Sequence, residues 1–273
     1  MTQTNGTAIT RRRLFGLGVE AIAAAMLAAC RAERSHGEVR IEGDMEQKAD
    51  KKTAEKGRLL ARPAQVKQAA PPGLHPLGLD GKRDGLLYAP AGYQAERPAP
   101  LAVMLHGAGG NAQHGINMLR QFADESGLIV LAPQSRRQTW DILVGGFGPD
   151  VAFIDRALRQ TFSRYAVNRS RLAIGGFSDG ASYALSLGLA NGDLFTHVLA
   201  FSPGFVAPAS QEGAPRLFIT HGKNDRIPPI DRCSRKIVPM VRRAGYYVEY
   251  REFDGPHTIP ADLAREAVEW FTA

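Results

Sequence analysis

The chain has two cysteines, Cys30 and Cys233, among 273 residues. That leaves no disulfide framework to staple a small secreted fold. No cluster of Cys and His has the spacing of a metal site, so neither a metal nor another cofactor is expected. The apolar run from Leu14 to Ala29 is too short to cross a bilayer, and Glu20 interrupts it. The formal net charge is +7. The basic stretches nevertheless lack the interleaved aromatics on which bases would stack, so nucleic acid is not an expected partner. There is no internal repeat.

The short apolar run has another use. Arg11-Arg12-Arg13 precedes it and small residues fill it, the pattern of an export signal, with paired arginines like those of the twin-arginine type. The run ends Leu27-Ala28-Ala29-Cys30, which resembles a lipobox. Residues 1–29 are therefore expected to be a signal peptide, and Cys30 a lipidated mature N-terminus that anchors the chain to a membrane in the periplasm or cell envelope. Residues 30–76 are rich in charge, Gln and Ala and poor in aromatics. Such a segment has little to bury and is expected to be a disordered tether. Within it, Glu38 to Glu55 carries the charge pattern of a helix.

The remainder, 77–273, alternates short apolar runs with segments of helical periodicity. This predicts one α/β domain with a mostly parallel sheet covered on both faces. Strands are expected at Leu86–Tyr88, Leu101–Leu105, Leu128–Ala132, Leu172–Gly175, Val198–Ser202, Arg216–Thr220 and Tyr247–Phe253. Helices are expected at about Asn117–Glu125, Asp150–Tyr165, Ser178–Ala190, Asp231–Ala244 and Ala261–Phe271.

Chemistry concentrates where strands end. Gly176-Phe177-Ser178-Asp179-Gly180 lies between an apolar strand and a helix. A serine raised on a tight strand-to-helix turn needs small neighbours two residues away on either side. Asp225 follows the strand at 216–220, and His257 follows the strand at 247–253. A serine hydroxyl is a poor nucleophile unless a base lies within hydrogen-bond reach. His257 can take the Ser178 proton, and an acid can hold the imidazole tautomer. Asp254 competes with Asp225 for that last role, but it would have to fold back along its own loop.

Upstream, the buried strand at 101–105 runs into His106-Gly107-Ala108-Gly109-Gly110. No Gly-Lys-Ser/Thr follows, so this is not a phosphate cradle. A glycine-rich loop lets backbone N–H groups approach a developing oxyanion. Ala108 and Asp179 are the expected donors, with Gly107 beside the substrate. His106 is expected to order the loop rather than to react. The long loop Pro133–Pro149 is either an ordinary surface loop or a wall of the pocket, in which case Trp140 is the expected contact to an acyl or aryl group.

Together these stretches resemble the α/β-hydrolases of the bacterial phospholipase/carboxylesterase type, close to polyhydroxybutyrate depolymerase-like and feruloyl-esterase-like secreted esterases. The matching residues are Leu105 to Gly110, Gly176 to Gly180, His221-Gly222 with Asp225, and His257, along with Ala200 to Phe205. The chain order Ser, Asp, His is also that of α/β-hydrolases. The resemblance implies an α/β-hydrolase fold and a Ser178–His257–Asp225 esterase acting through an acyl-enzyme on a small-molecule or polymeric ester. Pro203 to Pro215 is too short for an inserted cap, so the site should be open. Two readings stay beside this one: a non-catalytic binding module on the same fold, and an acyltransferase with the same triad.

Overall fold

A computed structural model describes residues 51–273. The signal-peptide, lipobox and Cys30 expectations, and the tether up to residue 50, fall outside these residues. Among the described residues, no helix is long and apolar enough to cross a membrane.

Eight strands form one sheet: β1 (Gly73–Pro76), β2 (Gly85–Ala89), β3 (Ala99–Leu105), β4 (Ile129–Pro133), β5 (Val167–Phe177), β6 (His197–Phe201), β7 (Arg216–Gly222) and β8 (Val248–Phe253). Their order is β1-β2-β4-β3-β5-β6-β7-β8. β1, β2 and β4 pair antiparallel, and all other neighbours are parallel. Five helices lie between strands, α1 (Ala112–Asn117), α2 (Arg120–Ser126), α3 (Pro149–Arg164), α4 (Asp179–Ala190) and α5 (Ser234–Arg243), and α6 (Ala261–Thr272) follows β8.

Strands β3 and β4 are apolar throughout because both faces are covered. Every residue of β3 is buried. Alternate residues serve opposite faces, as the two-residue period of a strand requires. Leu101, Val103 and Leu105 join Ile154 and Leu158 of α3, Leu187 of α4 and Val241 of α5 in one core. Ala102 and Met104 join Ile116 of α1, Phe122 of α2 and Val268 of α6 in the other. The carboxyl ends of the parallel strands therefore emerge along one edge, where a doubly covered sheet places its chemistry. No helix or strand is inserted between β6 and β7, and the domain has no cap.

The expected tether is corrected between residues 51 and 76. Residues 51–55 are helical, and the chain beyond them packs on the domain. Ala54, Leu59 and Ala61 are buried in the α3–α4 core. The Leu59 N–H donates to Asn191 Oδ1 at 2.8 Å, and the Leu60 and Ala61 N–H groups donate to Asp155 Oδ1 at 2.7 Å each. Side chains of the domain thus supply the partners that let this backbone be buried. A few apolar residues at the right spacing suffice when another surface completes their core, which average composition does not register. β1 was also unforeseen. It is a four-residue edge strand ending in proline, a position where the missing N–H costs the sheet no ladder bond.

Candidate active site

Ser178 stands between the end of β5 and the first residue of α4, with φ 58° and ψ −118°. A non-glycine residue at positive φ costs on the order of 1–3 kcal/mol and persists only where its surroundings dictate it. Here the Ser178 N–H donates to Phe201 O at 2.9 Å, while its carbonyl accepts from the Ser182 N–H at 3.1 Å. A Cβ on Gly176 would strike Leu105 O and the Gly180 backbone. One on Gly180 would strike the Leu105 and His106 carbonyls. The two glycines are required because β3 passes directly against the turn.

Asp225 follows β7 and His257 follows β8. His257 Nδ1 lies 2.6 Å from Asp225 Oδ2. The Asp225 side chain is fully buried, a costly place for a carboxylate without donors. Its other oxygen accepts the Ile227 N–H at 2.8 Å. Because the carboxylate only accepts, His257 Nδ1 carries a proton. The imidazole is partly exposed and stacks on Phe177, the residue before Ser178, at 4.4 Å between centroids. Asp254 is elsewhere: its carboxylate is 83% exposed and pairs with Lys223 Nζ at 3.1 Å.

His221, whose role the His221-Gly222 motif does not reveal, is a further partner of Asp225. Its Nδ1 is 2.7 Å from Ser234 Oγ and its Nε2 is 2.9 Å from Pro228 O. Burial holds its pKa below the usual histidine value. A carbonyl can only accept, so the proton lies on Nε2, and that N–H also faces Asp225 Oδ2 at 3.4 Å. Asp225 is thus bracketed by a neutral histidine on one side and His257 on the other.

The glycine-rich loop after β3 lies against the serine. A Cβ on Gly107 would sit 3.5 Å from Ser178 Cβ. The Gly109 N–H donates to Gln138 O at 2.7 Å and the Gly110 N–H to Gly107 O at 3.0 Å. The Ala108 and Asp179 amides donate to no other group among the described residues. His106 is buried and orders this loop: its Nε2 accepts the Ser135 N–H at 3.1 Å, and its Nδ1 donates to Gly107 O at 2.7 Å. Burial depresses its pKa as well, consistent with a neutral ring.

Trp140 corrects the expectation of a substrate contact. It is fully buried, stacked between His106 at 4.9 Å and Tyr183 at 5.2 Å, and its Nε1 donates to His106 O at 2.8 Å. An aromatic in a long glycine-rich loop looks available for a ligand, but here that loop is bolted down. The Asp141 N–H donates to Asp150 Oδ2 at 2.7 Å, the Asp150 N–H donates to Asp141 Oδ2 at 2.8 Å, and Tyr183 OH donates to Asp141 Oδ1 at 2.9 Å. Packing Asp150 beside Asp141 in the interior pushes its pKa up to about 6, burial being the larger cause. No group of three or more potential metal ligands occurs among the described residues.

The sheet order and the covered faces define the α/β-hydrolase fold. Residues 151–266 match the phospholipase/carboxylesterase family model. Feruloyl esterase C of Emericella nidulans is 29% identical over 158 residues, covering 55% of this chain and 57% of the relative. A probable feruloyl esterase C of Aspergillus niger is 30% identical over 157 residues, with the same coverage. The chain thus spans little more than half the length of these curated relatives. Among solved structures, the fluorophosphonate-binding serine hydrolase F of Staphylococcus aureus superposes with a TM-score of 0.61 at 14% identity, covering 75% of this chain and 100% of that one. A ferulic acid esterase of Anaeromyces mucronatus, solved with ferulic acid, gives 0.56 at 19% identity, covering 77% and 93%. At these identities the structural likeness speaks for the fold. The chain has the α/β-hydrolase fold, and the sequence relatives from Emericella nidulans and Aspergillus niger are named as feruloyl esterases.

Proposed function

We propose that this protein is a serine esterase that cleaves carboxylic esters through an acyl-enzyme. The observation that carries this reading is the 2.6 Å contact between His257 Nδ1 and Asp225 Oδ2, with the His257 ring packed on Phe177, the residue before a serine held at positive φ. In this reading His257 Nε2 removes the Ser178 proton as Oγ attacks the ester carbonyl. The Ala108 and Asp179 N–H groups receive the oxyanion. The protonated imidazole, stabilised by Asp225, returns its proton to the departing alcohol. Water then repeats the sequence on the acyl-enzyme and frees the acid. Short or compact acyl and aryl groups are the proposed substrates, because no cap encloses a longer chain. The feruloyl and ferulic acid esterases among the matches make hydroxycinnamate esters the first to assay. The names of these relatives do not favour a non-catalytic module or an acyltransferase.

The test is turnover of a nitrophenyl ester series together with a feruloyl ester, with fluorophosphonate labelling mapped to its serine. Labelling at Ser178 and loss of turnover with labelling support the proposal; a labelled site elsewhere defeats it. From the sequence alone we also read residues 1–29 as an export signal and Cys30 as a lipidation site. Palmitate incorporation that disappears in Cys30→Ser supports this reading, and a soluble wild-type protein without palmitate contradicts it.

A further inference from the structure

We propose that Gln138, Thr139 and Trp140 form a strap that positions both halves of the oxyanion hole, with Thr139 its decisive side chain. This inference rests on the esterase reading and deepens it. The two proposed donors come from parts of the chain far apart in sequence, the loop after β3 and the first residue of α4. The pairing of β3 with β5 brings the two elements side by side, and three consecutive residues of a third element tie down the loop and the helix start that carry the donors. Gln138 O accepts the Gly109 N–H at 2.7 Å, beside Ala108. Thr139 Oγ1 donates to Asp179 Oδ2 at 2.7 Å. Trp140 Nε1 donates to His106 O at 2.8 Å, at the root of the same glycine loop. The reciprocal bonds between Asp141 and Asp150 fix the strap where it leaves the site.

The Thr139 bond answers a specific electrostatic problem. Asp179 carries a carboxylate on the same residue whose amide must receive a developing negative charge. A free carboxylate there would swing among rotamers and repel the oxyanion at short range. A donated hydroxyl holds one rotamer and draws off part of the charge. Thr139 touches neither the serine nor the ester in this account. It is a positioning residue, and its effect belongs to the transition state rather than to substrate binding.

The variants Thr139→Val and Thr139→Ser separate this role from packing. Each is assayed for kcat and KM with 4-nitrophenyl acetate. Each is also titrated with benzeneboronic acid, which forms a tetrahedral anion on a reactive serine and needs no turnover. Thr139→Val should lose about ten-fold in kcat and in boronate affinity together, less than the ~10²-fold of deleting a donor outright. KM should stay within about two-fold, as for an interaction made only in the transition state. Thr139→Ser should restore both readings. Asp179→Ala removes the repelling carboxylate together with the acceptor, so it should lose less than Thr139→Val and should relieve the valine variant when combined with it; if the valine variant does not fold, Thr139→Ala carries the test in the same two assays. A valine variant equal to wild type in both readings overturns the strap. So does a serine variant as impaired as valine, a rise confined to KM, or full additivity of the two changes. In those cases wild-type turnover leaves the esterase reading standing. A wild type that neither hydrolyses esters nor binds the boronate defeats that reading, and the strap with it.

Discussion

Asp225 and His257 are separated by 32 residues and an intervening helix and strand, yet their side chains meet at 2.6 Å, with the carboxylate buried and the imidazole at the surface. Asp254, only three residues from His257, points to solvent and pairs with Lys223. The parallel pairing of β7 with β8 explains the difference. Residues that leave adjacent strands at the same edge are neighbours, whereas a residue one turn away in the same loop faces outward.

Asp225→Asn should therefore lower kcat by about 10⁴-fold, because the amide favours the wrong imidazole tautomer. Asp254→Asn should change it by less than about two-fold, as for an exposed pair. Steady-state kinetics of the two variants decide the matter, and the reverse ranking would make Asp254 the acid.

Trp140 belongs to the core, so its replacement should act on stability and not on substrate choice. Trp140→Ala should cost about 3–5 kcal/mol in urea unfolding. The ratio of kcat/KM between acetyl and feruloyl esters should stay the same even as both fall. A selective loss of the feruloyl ester would return Trp140 to the pocket.

Acid should destabilise the fold before the carboxylates that form surface pairs are titrated. His197 packs against Trp270 and Phe271, and burial, with Arg216 as the smaller cause, lowers its pKa to about 4. The depressed value means that the folded state binds fewer protons than the unfolded chain below about pH 6.5. The stability from the neutral ring is present above that pH and is lost as pH falls towards 4. His106 and His221 act in the same direction. Asp150 opposes them, since its raised value contributes stability at low pH that is lost as pH rises through about 6. Between pH 7 and pH 5, wild type should lose about 2 kcal/mol more than His197→Phe, measured by urea unfolding. Parallel pH profiles would show that His197 is not titrating in this window.

Acyl-chain preference should follow from the missing cap. A buried methylene contributes about 0.8 kcal/mol only where protein encloses it. The specificity constant for nitrophenyl esters should therefore plateau or fall beyond a few carbons, without a jump at a lipid interface. A steady rise to long chains would show that a segment folds over the site.

Much of this was legible in the residues themselves. Short apolar runs such as Leu101–Leu105 and Leu217–Ile219, bounded by turn residues, read as strands buried on both faces, and the glycines around Ser178 mark a tight strand-to-helix turn. What escaped depended on partners distant in sequence. Leu59 and Ala61 look like tether residues until Asn191 and Asp155 are placed beside their amides. The expected helix at Asn117–Glu125 is α2, beginning at Arg120, and the short α1 that precedes it was not foreseen. Trp140 reads as a ligand contact until His106 and Tyr183 close over its faces. Thr139 carries no motif, and only the fold brings its hydroxyl to Asp179.

The most direct measurement is made on Ser178→Ala. The purified variant should unfold at the wild-type urea midpoint within error, take up no fluorophosphonate, and retain no more than the roughly 10³–10⁴-fold acceleration over water that binding and an oxyanion hole give without a nucleophile. A variant that still hydrolyses esters at the wild-type rate, or is still labelled, contradicts the assignment of Ser178 as the nucleophile.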